Sequence, residues 1–219
     1  MVETGLRPVF YMTRKIERPN MKFILGKKIG MTQVFDEKGN VVPVTLVEAG
    51  PCKVTQVKTK ESDKYAAVQL GFGDVKAKKL KKTQNGKPFR YLKEYKLIKE
   101  ECKLNAGDVV DLGSFEVGDS VKVSGITKGK GFQGAVKRHG FAGRKSATHG
   151  QKHELRTIGS VGTSFPEHVI KGKRMPGHMG FERSTVKNLK IVKIDKDNNL
   201  VAILGAVPGG KGTLLEIKG

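Results

Sequence analysis

Two glycine-rich segments of the sequence have the spacing of phosphate-binding loops. Residues 129–134 (GKGFQG) match G-x-G-x-x-G, the pattern with which dinucleotide-binding folds hold a pyrophosphate. Residues 205–213 (GAVPGGKGT) contain G-x-x-x-x-G-K, in which a lysine and backbone N–H groups hold the phosphates of a nucleotide. Both chemistries need a strand before the glycines and a helix after them, because the helix N-terminus faces the phosphate.

The residues that follow each segment do not favour that helix. Gly140 and Gly143 interrupt any helix after the first segment within two turns. The residues after Thr213 (LLEIKG) have the pattern of a strand. We therefore predict that neither segment binds a nucleotide and that the second is a hairpin with a surface lysine. A nucleotide-binding kinase that uses Lys211 is the alternative from another functional class.

All five histidines lie in one part of the chain, at His139, His149, His153, His168 and His178. His149 and His153 have the i, i+4 spacing with which a helix presents two imidazoles to a metal ion. A glycine lies between them, however, and no nearby cysteine or aspartate completes a ligand set. We predict no metal, no cofactor and no catalytic residue, and we expect the histidines to donate to phosphates or stack on bases.

The charge of the chain indicates an anionic partner. Its 219 residues include 42 lysines and arginines against 21 aspartates and glutamates, a formal net charge of +21. This charge repels itself unless an anion neutralises it, so nucleic acid is the leading partner and an anionic membrane surface the second. No segment has the ~18 uncharged apolar residues of a membrane helix. Cys52 and Cys102 are too few for a disulfide scaffold and indicate a reducing compartment.

Strand patterns separated by turns fill most of the chain beyond residue 20. Alternating apolar and β-branched residues predict a mainly β fold, a small antiparallel barrel with a long basic loop inserted between strands. We assign residues 21–124 and 184–219 to this barrel domain and residues 1–20 to a poorly ordered N-terminal extension. Turns are expected at residues 38–40 and 197–199, and residues 88–98 fit either a short helix or a strand. The predicted strands are residues 41–49, 52–58, 65–72, 120–124, 188–195, 200–205 and 213–218.

The segment between these strands has a different composition. The 62 residues from Lys122 to Arg183 contain 13 lysines and arginines, 3 glutamates and 12 glycines, so their net charge is +10. Only 12 of them are Leu, Ile, Val or Phe, which is too few for a core of their own. We predict that residues 125–183 form an irregular basic loop that leaves the barrel, returns to it and becomes ordered on a polyanion.

Basic, aromatic and histidine side chains recur along both halves of this loop. Lysine and arginine neutralise phosphates, aromatic rings stack on unpaired bases, and glycines let the backbone approach phosphates closely. The alternative for Phe132 and Phe141 is that they anchor the base of the loop in the barrel core. The candidate RNA-binding residues are Lys128, Lys130, Phe132, Gln133, Lys137, Arg138, His139, Arg144, His149, His153, Arg156, Lys171, Lys173, Arg174, His178 and Arg183.

Four segments of the chain resemble one known family, the universal ribosomal protein three of the large subunit, in its bacterial form. They are residues 25–35 (LGKKIGMTQVF), 118–143 (GDSVKVSGITKGKGFQGAVKRHGFAG), 159–180 (GSVGTSFPEHVIKGKRMPGHMG) and 205–210 (GAVPGG). The resemblance covers the chain from about Met21 onward. A basic protein that compacts duplex DNA is a third alternative, which would share the net charge but not its asymmetry along the chain.

The resemblance implies a structural constituent of the large ribosomal subunit, cytoplasmic and without enzymatic activity. Its implied partners are large-subunit ribosomal RNA and neighbouring large-subunit ribosomal proteins, with no membrane and no small-molecule substrate. It further implies an early role in subunit assembly and a loop that extends toward the peptidyl transferase centre. The loop tip nearest that centre would be Gly162, Thr163, Ser164, Phe165 and Pro166.

Overall fold

A long β-hairpin begins the fold. The computed structural model describes residues 22–80, 82, 86–97 and 104–219, so the predicted extension over residues 1–20 lies outside the described residues. Strand β1 (Phe23–Phe35) pairs with β2 (Val41–Ala49), and the turn between them is closed by the N–H of Gly39, which donates to the carbonyl oxygen of Asp36 at 2.8 Å. Gly39 has a φ of +77°, which explains why the predicted turn contains glycine.

Six strands form a closed barrel around the first core. The hydrogen-bonded order is β1-β12-β7-β10-β11-β2, every neighbouring pair is antiparallel, and β2 returns to β1. The prediction of a mainly β fold is confirmed. Besides the hairpin, the barrel strands are β7 (Ser120–Ile126), β10 (Arg183–Asp195), β11 (Leu200–Leu204) and β12 (Leu214–Lys218).

Alternating side chains of these strands fill the barrel. Leu25, Val123, Ile203 and Leu215 are each completely buried, and each contributes about 1.5–3 kcal/mol by leaving water. Gly26 lies where β1 and β2 approach closely, since a Cβ there would be 2.7 Å from the Val47 side chain. The small residue therefore allows the strands to close at this point.

A second sheet of four strands packs against the barrel. Its order is β5-β4-β3-β6, again with antiparallel neighbours, and its apolar side chains belong to the same core cluster as those of the barrel. The segment that fitted either a helix or a strand is a strand, β5. The strands of this sheet are β3 (Cys52–Lys58), β4 (Ala67–Asp74), β5 (Phe89–Lys96) and β6 (Val109–Val110).

Helical structure is short in the described residues. Helix α1 (Lys60–Asp63) connects β3 to β4, and α2 (Ala135–His139) lies between β7 and β10. Single 3-10 turns occur at Ala77–Lys79 and Leu112–Ser114. None of the helices in the part of the chain that the structure describes is long and apolar enough to cross a membrane.

Candidate nucleic-acid interface

The long basic segment leaves the barrel and returns to it at one point. Strand β7 ends beside the start of β10, where Ile126 pairs with Arg183. Just beyond, the N–H of Thr127 donates to the carbonyl oxygen of Glu182 at 2.9 Å, and the N–H of Glu182 donates to the Thr127 hydroxyl at 3.2 Å. We call residues 127–182 the excursion, with an outgoing arm after Thr127 and a returning arm before Glu182.

The two arms stay paired as they leave the barrel. The N–H of Lys130 donates to the Met179 carbonyl at 2.9 Å, and the N–H of Met179 donates to the Gly131 carbonyl at 3.0 Å. The short strands β8 (Phe132–Gln133) and β9 (Gly177–His178) continue this antiparallel pairing. Gly180 has a φ of +76°, and a Cβ there would overlap the Lys128 carbonyl, so only glycine fits this close approach.

Helix α2 fixes the next part of the arms. Arg138 Nη1 donates to the Met175 carbonyl at 2.8 Å, and His139 Nε2 lies 3.1 Å from the same oxygen. The helix ends at Gly140, whose φ is +73°, as the glycine spacing predicts. After α2 the chain continues into the outgoing arm. It does not form the βαβ unit that dinucleotide binding requires.

Almost the whole excursion is accessible to solvent. Ala135 is the one residue of residues 127–182 that is buried. The excursion contains 11 lysines and arginines and 3 glutamates, and one ion pair forms within it, between Arg144 Nε and Glu154 Oε2 at 2.8 Å. The remaining cations of this described segment lack an acidic partner, so its positive charge faces outward.

A cleft of about 720 Å³ lies where the arms meet the barrel. It brings together candidate residues from both arms with one acidic side chain, Glu182. Gly209, from the loop between β11 and β12, also lines it. The candidate residues that line this cleft are Lys128, Lys130, Arg138, His139, His178 and Arg183.

Other candidate residues lie outside this cleft along the arms. Gln133 is partly buried and its side-chain amide donates to the carbonyl oxygen of Lys130. The rest of this group is solvent-exposed and forms a dispersed surface instead of a compact site. These exposed residues are Phe132, Lys137, Arg144, His149, His153, Arg156, Lys171, Lys173 and Arg174.

The two phenylalanines of the outgoing arm differ from each other. Phe132 is 76% exposed, so the alternative that it anchors the arm in the barrel core is wrong. Phe141 is partly buried, and its ring lies 6.0 Å from the ring of His139. Phe132 is therefore available for stacking on a base, whereas Phe141 packs within the arm.

The predicted tip is exposed and held by short-range hydrogen bonds. The hydroxyl of Thr163 donates to the Phe165 carbonyl at 2.6 Å, and that of Ser160 donates to the Gly162 carbonyl at 2.7 Å. The Phe165 side chain is 84% exposed. The segment thus presents small groups and one aromatic ring, without a charge from Gly162 to Pro166.

Among the candidate cations, Arg183 pairs with an acidic residue of the barrel, whereas Arg144 pairs with Glu154 within the excursion. The Nη2 of Arg183 forms an ion pair with Glu216 on β12, and Lys93 Nζ lies 3.5 Å from the other oxygen of that carboxylate.

Lys28 lies beside the cleft and is not among the residues predicted from the sequence. Burial, with a smaller effect from the nearby charge of Lys128, lowers the pKa of Lys28. A strand pattern gives no signal for such a buried lysine.

The five histidines are spread along the excursion. Among the described residues, no three histidine, cysteine, aspartate or glutamate side chains converge as a metal ion would require. His149 and His153 are both exposed, and His149 has a φ of +56°, so the two do not share the face of a helix. The arrangement suits contacts to a large anionic surface and not a coordination sphere.

Comparison with known proteins identifies the family. The family model for ribosomal protein L3 matches residues 105–204, which include the whole excursion. The large ribosomal subunit protein uL3 of Desulfitobacterium hafniense is 50% identical over 204 residues, covering 90% of this chain and 95% of the relative. The protein of that name from Pelotomaculum thermopropionicum is 48% identical over 204 residues, covering 90% and 96%. The chain belongs to the ribosomal protein L3 family.

Membership of the ribosomal protein L3 family confirms the resemblance inferred from the four sequence segments. The protein is a structural constituent of the large ribosomal subunit in the cytoplasm, and its family is not enzymatic. The kinase alternative based on Lys211 is therefore wrong. The structure also argues against a nucleotide site at Lys211, because a strand begins at Leu214, where a phosphate-binding loop needs a helix.

Proposed function

We propose that this protein binds large-subunit ribosomal RNA through its excursion while the β domain holds the arms in place. The observation that carries the proposal is the exposed positive charge of residues 127–182, in which Arg144 is the one cation paired with an acidic residue and Ala135 is the one buried residue. A segment with so little core becomes ordered against a partner that supplies the missing contacts. RNA supplies both the phosphates for the lysines and the bases for exposed rings such as Phe132.

The shape of the arms favours structured RNA over a membrane or duplex DNA. A membrane would require a continuous apolar face opposite the charges, whereas the exposed rings of Phe132, Phe165 and Phe181 are scattered along the excursion. Duplex DNA is usually read by a helix or a β-ribbon in its major groove, whereas α2 has only five residues and β8 and β9 have only two each. Irregular arms suit the irregular cavities of folded RNA.

The proposed roles of the two parts of the chain follow the predicted domain boundaries. In this proposal residues 21–124 and 184–219 form the anchor, and residues 125–183 enter the RNA. Gly162–Pro166 form the tip closest to the peptidyl transferase centre, because small uncharged residues fit a crowded RNA interior. Binding of the arms orders the RNA around them, which is how the protein nucleates subunit assembly next to neighbouring ribosomal proteins.

A salt titration tests the RNA interface. Affinity for large-subunit ribosomal RNA is measured by filter binding between 50 and 200 mM salt, with duplex DNA as competitor. If six or more phosphates are contacted, affinity should fall by roughly 10³-fold over this range. A flat salt response, or equal competition by duplex DNA, would contradict the proposal.

A variant without the excursion separates the two domains. The hydrogen bonds between Thr127 and Glu182 allow residues 128–181 to be replaced by two glycines that connect β7 to β10. We expect circular dichroism to show a folded β domain, RNA affinity to fall at least 100-fold, and co-sedimentation with large subunits at moderate salt to be lost. Full affinity in a folded variant would place the RNA site elsewhere.

The location of the tip is testable by tethered cleavage. Ser164→Cys, in a Cys102→Ser background, carries an iron chelate that generates hydroxyl radicals within assembled large subunits. We expect RNA cleavage around the peptidyl transferase centre, and none there from the control Ser62→Cys on α1. Cleavage confined to distant RNA would refute the assignment of the tip.

A further inference from the structure

The glycine-rich loop between β11 and β12 lies against the base of the excursion. A Cβ at Gly209 would be 2.7 Å from the carbonyl oxygen of Ile126, the last residue of β7, and the φ of Gly209 is +87°. Pro208 packs beside Gly125 on the same strand. Residues 205–212, which we call the 205–212 loop, therefore adjoin the point where the outgoing arm begins.

Lys28 holds this loop in one conformation. Its Nζ donates to the carbonyl oxygens of Val207 at 2.9 Å and Gly209 at 3.0 Å. The backbone N–H of Lys28 donates to the carbonyl oxygen of Thr213 at 3.0 Å, and the carbonyl oxygen of Lys28 accepts from the N–H of Gly212 at 2.7 Å. The side chain is only 9% exposed. A buried ammonium group with two carbonyl partners fixes the loop and adds a positive charge beneath it.

Three further lysines, Lys27, Lys128 and Lys211, pack along the glycines of this corner, and the Cε of Lys27 lies 3.7 Å from the Cβ position of Gly212. The Cε of Lys128 lies 3.6 Å from the Cβ position of Gly210, and the Cε of Lys211 lies 3.6 Å from that of Gly30. Within the described part of the chain, Lys28, Lys128 and Lys211 form no ion pair with an acidic residue. Lys128 also lines the cleft, as Gly209 does. The loop is thus flanked by Lys27, Lys28 and Lys128 and itself carries Lys211, and Glu182 is the acidic side chain of the adjoining cleft.

We propose that the 205–212 loop is a phosphate-binding site beside the cleft, which Gly209 and Lys128 line. Lys128 and Lys211 contact the phosphate, and Lys28 is a positioning residue that holds the loop. The glycines allow a phosphate group to approach the backbone, and the lysines provide charge that is favourable only when an anion is present. This site adds Lys211 to the candidate RNA-binding residues.

The phosphate belongs to an RNA backbone and not to a free nucleotide. The inference rests on the proposed RNA-binding function. Strand β12 begins at Leu214, so the loop lacks the helix that would direct several N–H groups at the phosphates of a nucleotide. A backbone phosphate, in contrast, is held at the same time by contacts along both arms.

Substitution of Lys211 tests the site in the full-length protein. Affinity for in vitro transcribed large-subunit ribosomal RNA is measured for Lys211→Ala, Lys211→Arg and a control, Lys193→Ala. Lys193 is an exposed lysine near the other end of the barrel, where β10 approaches its end at Asp195. We expect Lys211→Ala to weaken binding roughly three- to tenfold and to reduce the slope of log affinity against log salt by about one, as loss of one phosphate contact does.

The controls separate this site from general charge and from nucleotide binding. Lys211→Arg should retain the salt slope, Lys193→Ala should leave it unchanged, and wild-type protein should not bind Mg·ATP. Equal effects of Lys211→Ala and Lys193→Ala, or no effect of Lys211→Ala, would overturn the phosphate site while leaving RNA binding by the arms intact. Binding of Mg·ATP that Lys211→Ala abolishes would assign the site to a nucleotide. Failure of the wild-type protein to bind RNA would overturn the proposed function and this site together.

Discussion

The ring of Tyr95 stacks on the ring of Phe23, with centroids 4.7 Å apart and planes inclined by 23°. Phe23 belongs to β1 of the barrel and is completely buried, whereas Tyr95 belongs to β5 of the second sheet. Lys218 Nζ lies 4.7 Å from the Tyr95 ring centroid, so a cation covers the stacked pair. This contact joins two sheets that share no backbone hydrogen-bonded ladder.

Removal of the Tyr95 ring should therefore loosen the junction between the sheets. We expect Tyr95→Ala to lower the free energy of unfolding by about 2 kcal/mol, through lost apolar burial and lost stacking. Tyr95→Phe keeps the ring and should cost less than about 0.5 kcal/mol, since the Tyr95 hydroxyl forms no hydrogen bond with the residues that the structure describes. Urea denaturation measures both, and equal stability of Tyr95→Ala and wild type would show that the junction does not depend on this pair.

The ion pair between Lys22 and Asp119 should make stability depend on pH. Lys22 Nζ lies 2.6 Å from Asp119 Oδ2, and this hydrogen bond, with the N–H of Glu116, holds the pKa of Asp119 below its usual value. A carboxylate with a lowered pKa contributes stability above about pH 4, and that contribution is lost as the pH falls through the pKa of the folded state.

Asp119→Asn should accordingly destabilise the protein at neutral pH and not in acid. We expect a loss of up to about 1 kcal/mol at pH 7, which shrinks toward zero as the pH falls below about 4. Urea denaturation at pH 7, 5 and 3 provides the comparison, and Lys22→Met should produce the same pattern. A difference that stayed constant across these pH values would mean that the ion pair is not its cause.

The thiol of Cys52 should be unreactive while the protein is folded. It is completely buried and donates a weak hydrogen bond to the Leu25 carbonyl at 3.5 Å, and burial raises its pKa to about 11. Because the thiolate is the reactive form, a Cys102→Ser variant should give almost no reaction with a disulfide reagent at pH 8. One thiol per chain should react in denaturant, and rapid labelling without denaturant would contradict the buried position.

The arms should be sensitive to a methyl group at Gly180 and much less so at Gly172. Both glycines have positive φ, +76° and +82°, so alanine strains the backbone at either position by about 1 kcal/mol. At Gly180 the added Cβ also overlaps the Lys128 carbonyl, whereas at Gly172 it meets nothing within 4 Å.

Gly180→Ala and Gly172→Ala together distinguish the effect of the close approach between the arms from the effect of backbone strain alone. We expect Gly180→Ala to weaken RNA binding at least tenfold and to increase protease cleavage of the arms, with the β domain still folded by circular dichroism. Gly172→Ala should change RNA affinity less than threefold. Equal losses for the two variants would show that the close approach at Gly180 does not position the arms.

The strands were predictable where their side chains alternate and turn residues bound them. Strands β2 and β3 have the predicted bounds, residues 41–49 and 52–58, because each contains β-branched residues and begins after a glycine or proline signal. The grouping of β3 with β4, β5 and β6 in a second sheet was not predictable, since strand partners far apart in sequence leave no local pattern. The prediction for β10 began too late, at residue 188, because Asn188 has a φ of +58° at an irregularity that interrupts the alternation.

The composition predicted which segment forms the candidate interface, but not the contacts that individual residues make there. Charge and glycine content identified the excursion, because a segment with so few apolar residues cannot form a core. They did not predict that Arg183 pairs with Glu216 or that Lys28 fixes the 205–212 loop. Both contacts depend on the closure of the barrel. Arg183 and Glu216 are 33 positions apart in the sequence, and Lys28 and Val207 are 179 positions apart.

The position of β12 also sets the order in which this protein can mature during translation. β12 is the last barrel strand along the chain, yet it lies between β1, the first, and β7. The ribosome that synthesises the protein therefore produces both arms before the strand that closes the barrel. Both arms are therefore synthesised while the barrel that supports them still lacks the strand between β1 and β7.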